Sequence, residues 1–186
     1  MAYYVFAAIS GLSFLVQLLS VFVVFRKVES TENSRYRFFQ AQFLVTWGYF
    51  FYVFYSREPK ASLIYGIASI LVVACLVLFF YCSSIIRRNK LSIVFSADSP
   101  EFHISRGPYA IVRHPFYTSY ILTYSSLALV GMDILLAILC LGMFFTYYYA
   151  ARFEEKKFLD SNLKSSYQKY QIQTGMFFPR LVKRQE

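Results

Sequence analysis

Uncharged, mostly apolar runs alternate along this chain with short charged clusters. The runs cover Tyr3 to Phe25, Phe38 to Ser56, Ala61 to Ile86, Pro115 to Met132 and Ile134 to Ala151, with lengths of 23, 19, 26, 18 and 18 residues. A helix needs roughly 20 residues to cross a hydrocarbon core of ~30 Å, so the pattern predicts about five transmembrane helices, the last two slightly short. Only Asp133 separates the fourth and fifth runs, and Gly131-Met132-Asp133 predicts a tight turn and a helical hairpin. Beyond the last run, Leu159, Leu163, Tyr167 and Tyr170 recur at i, i+4, i+8 and i+11, one face of a helix. Lys156, Lys157, Lys164 and Lys169 mostly lie elsewhere around it, so an amphipathic C-terminal helix on the cytoplasmic side is expected. The fold class is therefore all-α, a polytopic membrane protein. We read residues 1–186 as one membrane domain, with a three-helix scaffold over 1–86 and the chemistry in 87–186.

Composition agrees with that reading: 58% hydrophobic against 16% charged residues, with a mean hydropathy of +0.45, is too apolar for an ordinary globular surface. The net charge of +9 reads first as a topology signal. With the N-terminus outside, 17 of the 19 basic residues fall in the segments predicted to be cytoplasmic, and only Arg57 and Lys60 lie outside. No Lys or Arg precedes the first run and Arg26-Lys27 follow it, so it is expected to be a retained anchor rather than a cleaved signal. A nucleic-acid partner would need a basic face on a soluble module, and the chain has no room for one. Cys75, Cys82 and Cys140 sit inside predicted spans without CxxC spacing, which argues against a disulfide framework and against a metal site.

The polar chemistry is concentrated in the second half. A stretch of about 27 residues from Arg87 to Arg113 is longer than usual helix connections, and loops of that size are functional or disordered. Three clusters then fall where spans meet the cytoplasm: Phe102-His103-Ile104 with Gly107-Pro108-Tyr109, Arg113-His114-Pro115-Phe116-Tyr117, and Glu154-Glu155. The hairpin sets the start of span four beside the end of span five, so the last two clusters converge. Each residue has a plainer reading. Arg113 could be a snorkelling anchor, His114 a helix-start residue bonded to backbone, and the glutamates solvated partners of Arg152 and Lys157. Residue types and spacing alone reach only a polar site at the cytoplasmic interface, open to lipid.

Arg113-His114-Pro115-Phe116-Tyr117, preceded by Gly107-Pro108-Tyr109 and followed by Glu154-Glu155, resembles the R-H-P-x-Y and E-E signature of the isoprenylcysteine carboxyl methyltransferase and phospholipid methyltransferase superfamily. Tyr167-x-x-Tyr170 and Thr174-Gly175-Met176-Phe177-Phe178-Pro179 are similar to its closing segment, and the resemblance spans roughly residues 91–181. It implies an S-adenosylmethionine-dependent methyltransferase whose cofactor shell would be Phe102, His103, Ile104, Tyr109, His114, Pro115, Tyr117, Glu154 and Glu155. Arg113 and Arg152 would then orient the substrate, and Arg113, Tyr117 and Glu155 would serve catalysis. The chain departs from the family at three places: Glu101 stands at the family's His position, Gln173 replaces an Arg before Thr-Gly, and Lys164 replaces a Gly before Tyr167.

Methyl transfer from a sulfonium is an in-line displacement, for which alignment and exclusion of water supply most of the acceleration. A carboxylate acceptor needs no base, whereas an amine must lose a proton that the glutamates or Tyr117 could take. The sequence favours a lipidic acceptor arriving from the bilayer, with isoprenylcysteine-type carboxyl O-methylation first. Phospholipid N-methylation and small-thiol S-methylation are the alternatives, and a membrane module with a vestigial pocket is the non-enzymatic one. A transporter is disfavoured by the lack of inverted repeats and of ionisable residues at mid-span.

Overall fold

The computed structural model describes residues 1–23, 33–86 and 103–180. Five long helices and one short one account for most of them: α1 (Ala2–Val23), α2 (Asn33–Ser56), α3 (Ser62–Ile86), α4 (Pro115–Gly131), α5 (Ile134–Leu159) and α6 (Lys164–Gln173). The described residues contain no strand and form the all-helical fold that the pattern predicts. α1 over Ala2–Ser20, α3 and α5 are long and apolar enough to cross a membrane. The other two expected crossings are less clear-cut. α4 has 17 residues, a length of about 25 Å at ~1.5 Å per residue, and α2 dilutes its apolar residues with Gln40, Gln42, Thr46, Gly48 and several tyrosines.

α4 is the central helix. It packs along α3 and α5 and buries residues all round, from Phe116 and Tyr117 at its start to Leu127 and Val130 at its end. Hydroxyls and amides hold it to α1: Ser13 Oγ lies 3.2 Å from Thr123 Oγ1, and Gln17 Nε2 donates to both at 3.1 and 3.2 Å. Apolar lipid gives helices no hydrophobic reason to associate, so such buried polar pairs and close backbone approach hold them together. Gly142 provides the close approach between α2 and α5. A Cβ there would lie 2.8 Å from Gln42 Nε2, and Thr146 donates to the same amide's oxygen at 2.7 Å.

The hairpin forms as predicted. Met132 takes the left-handed conformation at φ 45° after α4, and Asp133 caps α5 by accepting from Leu136 N–H at 3.0 Å. Arg57, at the end of α2, pairs with Asp133 at 2.6 Å, and Tyr49 donates to the same carboxylate. Asp133→Ala should therefore lower Tm by about 2–4 °C, since helix caps and exposed pairs contribute modestly. Thermal unfolding of the detergent-solubilised protein checks this, and an unchanged Tm would remove the latch role.

The C-terminal amphipathic helix differs from its expected extent. α5 continues unbroken past the apolar run through Arg152, Glu154 and Glu155 to Leu159, and the chain then turns before α6 begins at Lys164. Leu159 and Leu163 therefore do not share a helix with Tyr167 and Tyr170. The break sits at Asp160-Ser161-Asn162, residue types whose side chains compete for backbone bonds. Ser161 Oγ donates to Phe158 C=O at 2.8 Å and accepts from Leu163 N–H at 3.2 Å. Tyr167 and Tyr170 keep the inward face of α6, and Phe158 stacks on Tyr167 at 4.4 Å.

Candidate active site

The start of α4, the end of α5, α6 and the tail after it meet at one end of the bundle. Pro115 occupies the first position of α4, where a missing N–H costs nothing, and His114 precedes it with φ −123° and ψ 64°. The peptide before α4 is held by backbone pairing with the tail: Arg113 N–H donates to Gly175 C=O at 2.8 Å, His114 N–H to Met176 C=O at 3.1 Å, and Gly175 N–H to Ile111 C=O at 3.3 Å. Thr118 Oγ1 adds a bond to Phe177 C=O at 2.9 Å. Gly175 is obligatory here, because a Cβ would fall 1.7 Å from the carbonyl oxygen of Phe178. Upstream, Gly107 adopts φ 61° and opens a short 3₁₀ turn, Gly107–Ala110, whose Tyr109 C=O accepts from Tyr170 Oη at 2.5 Å.

Two cations and two carboxylates interlock on this frame. Arg113 Nε donates to Glu155 Oε1 at 2.7 Å, and its Nη1 donates to the carbonyls of Gln171, at 3.3 Å, and Thr174. His114 is bracketed, with Nε2 3.2 Å from Glu155 Oε1 and Nδ1 3.3 Å from Glu154 Oε2. Tyr117 Oη donates to Glu154 Oε1 at 2.7 Å, and Gln171 Nε2 to Glu155 Oε2 at 3.0 Å. Glutamates adjacent on a helix point about 100° apart, which lets the pair grip one imidazole from two sides. Burial opposes the imidazolium, but hydrogen bonds and charge from Glu154 and Glu155 outweigh it, so the His114 pKa lies above its ordinary value. Burial, with charge from Cys82 and Glu154, pushes the Tyr109 phenol well up.

The two carboxylates are not equivalent. Glu155 has 3% of its side chain exposed and spends both oxygens on Arg113, His114 and Gln171. Glu154 has 25% exposed and two partners, Tyr117 and His114, and is the more open of the pair. An aromatic column leads inward from the cluster: His114 stacks on Tyr117 at 5.6 Å and Tyr117 on Tyr147 at 5.3 Å, with Tyr120 and Tyr124 against Tyr147.

Arg113, His114, Pro115, Tyr117, Glu154 and Glu155 thus meet in one place. Tyr109 stands beside them, and His103 packs on the Tyr170 and Tyr167 rings at 5.1 and 5.9 Å, joining the aromatic side of the site. Ile104 is half-buried against the core. Arg152 is exposed and takes no part in the ion cluster, and Phe102 lies outside the described residues. Sequence reasoning missed Gln171, Thr174, Thr118 and Tyr147, which hold or stack on the cluster. Gln171 and Thr174 act through one side-chain amide and two backbone carbonyls, for which no residue pattern gives a signal.

A family model described as phospholipid methyltransferase matches residues 61–166, from the start of α3 into α6. That range contains Arg113, His114, Tyr117, Glu154 and Glu155 and leaves out α1, α2 and the tail. No curated protein and no solved structure matched the chain.

Proposed function

This chain belongs to the phospholipid methyltransferase family, and on that premise we propose that it carries a methyl group from S-adenosylmethionine to the amine of a phospholipid headgroup at the cytoplasmic membrane interface. The observation that carries the reading is the interlocked cluster of Arg113, His114, Glu154 and Glu155, built from residues inside the matched range at one end of the helical bundle. The carboxyl-methylation alternative needs an arginine free to orient an acceptor carboxylate. Arg113, the arginine of the cluster, is spent on Glu155 and two carbonyls, which together with the family match favours the amine.

The residues present suit the cofactor. Glu154, the more open carboxylate, matches the ammonium of its methionine moiety, and the faces of Tyr109 and Tyr117 with His103 suit an adenine or sulfonium. When bound, the cofactor supplies an electrophilic methyl group on a positively charged sulfur. Glu155 fixes Arg113 and His114, Arg113 ties α6 and the tail to α4, and this rigid frame sets the alignment that the displacement requires. The aromatic column and Phe177 keep water from the bilayer side. An ammonium acceptor must lose a proton before it attacks; Tyr117 already donates its own proton to Glu154, so of these two groups only the Glu154 carboxylate can receive it. The headgroup enters laterally, with its acyl chains remaining in lipid.

The reading is tested with membranes containing the protein and methyl-tritiated S-adenosylmethionine. Label should enter the lipid fraction in a base-stable form that migrates with N-methylated phosphatidylethanolamine. Label released by mild base would point to a methyl ester and overturn the amine assignment.

A further inference from the structure

His114 occupies an unusual position: each ring nitrogen faces a different carboxylate, at 3.2 and 3.3 Å, so both nitrogens donate only if the ring carries its second proton. In that state the cluster is electrically closed, Arg113 and His114 against Glu154 and Glu155. Glu155 has no oxygen to spare, and Glu154 is the more open partner. An ammonium arriving at Glu154 would stand beside an imidazolium in a site with 8% of the His114 side chain exposed, where like charges are poorly screened.

We propose, resting on the cofactor reading above, that Glu154 is shared between the Nδ1 proton of His114 and the ammonium group of the bound cofactor, so that His114 gives up a proton to solvent each time the site fills. The Nδ1–H bond breaks, its electron pair stays on nitrogen, and the proton leaves to buffer. The Nε2–H bond to Glu155 Oε1 is kept, which fixes the neutral tautomer and holds the ring in place. The other groups facing the ring do not take the proton's place. Arg113 stays charged on Glu155, Tyr117 donates to Glu154 from one turn along α4, and Tyr147 of α5 is stacked behind Tyr117. Tyr167 of α6 senses the charges of Glu155 and Arg113, and the tail presents the apolar ring of Phe177. The raised pKa of His114 agrees with a ring protonated before the ligand arrives.

The free site holds the extra proton below the folded-state pKa of His114, so ligand and proton compete there, and affinity weakens as pH falls. Below that pKa the dissociation constant should rise about tenfold per pH unit, and above it the pH dependence should vanish. The test is calorimetric titration of S-adenosylhomocysteine into the full-length protein in detergent, in phosphate and in Tris at matched pH. The heats should differ between buffers by the amount for release of about one proton per ligand at low pH and converge at high pH. In His114→Asn, which still presents an amide donor to the glutamates, the buffer difference should disappear. Equal heats in both buffers at every pH, with binding intact, would overturn the proposal, as would proton release that persists in His114→Asn or proton uptake. If that variant does not fold, the wild-type buffer pair decides alone. Absence of S-adenosylhomocysteine binding at any pH would instead count against the cofactor reading on which the proposal rests.

Discussion

Glu155→Gln should lower methyl transfer by about two orders of magnitude and cost the fold about 3–5 kcal/mol. The carboxylate is 3% exposed and is the only acidic partner of Arg113 among the described residues, as well as one of two for His114. A neutral amide of the same shape would leave two buried cations against Glu154 alone, and breaking a buried pair on one side is more costly than never having it. The arginine would then loosen its hold on the Gln171 and Thr174 carbonyls, and α6 and the tail would lose their tie to α4. Misplacing reacting atoms by about 1 Å is enough for a hundredfold loss of rate. Glu154→Gln separates the two roles. It should leave Tm close to wild type, because Glu154 is partly solvated and has fewer partners, while still lowering turnover. Unfolding and initial rates measured together on both variants check this, and a Glu155→Gln protein with wild-type Tm and rate would refute the division of labour.

Gly175→Ala should be nearly as damaging, although the glycine touches no substrate or cofactor in this account. Its Cβ would sit 1.7 Å from Phe178 O and 2.9 Å from Phe178 C, both backbone atoms that no side-chain rotation relieves. The tail must therefore move, and three backbone bonds to Ile111, Arg113 and His114 go with it. At about 0.5–1.5 kcal/mol each, their loss amounts to about 1.5–4.5 kcal/mol. His114 would then lose the register that places its ring between the glutamates. Hydrogen exchange at the amides of Arg113 and His114 should speed up, and S-adenosylhomocysteine should stabilise the variant less than wild type. Unchanged exchange at these amides would mean that the tail does not brace the site.

Much of this architecture can be read from the chain, because charge is so sparse. Long uncharged runs leave helices as the only spanning solution, and a three-residue turn at Gly131-Met132-Asp133 forces the fourth and fifth runs to lie side by side. The meeting of Arg113-His114 with Glu154-Glu155, some forty residues apart, follows from that hairpin. What could not be read is how the glutamates are mounted. The apolar run ends at Ala151, yet α5 continues as one helix to Leu159, so both carboxylates stand on a rigid rod rather than in a loop. The stripe from Leu159 to Tyr170 suggested one helix because a face periodicity persists through a short turn, and the Asp160-Ser161-Asn162 break overrides it. The bracing by the tail is a matter of backbone pairing and one close approach, neither of which leaves a pattern in side chains. Gly175 could be noticed through its resemblance to a family segment, and its physical reason, an oxygen where Cβ would be, needs the structure.

The most direct test of the central claim uses purified protein in vesicles of phosphatidylethanolamine, with vesicles of phosphatidylcholine as the control and methyl-tritiated S-adenosylmethionine as donor. Label should enter N-monomethyl phosphatidylethanolamine in the first vesicles, be absent from the second, and be lost in Glu155→Gln. Protein that is folded and binds S-adenosylhomocysteine but leaves phosphatidylethanolamine unlabelled would contradict it.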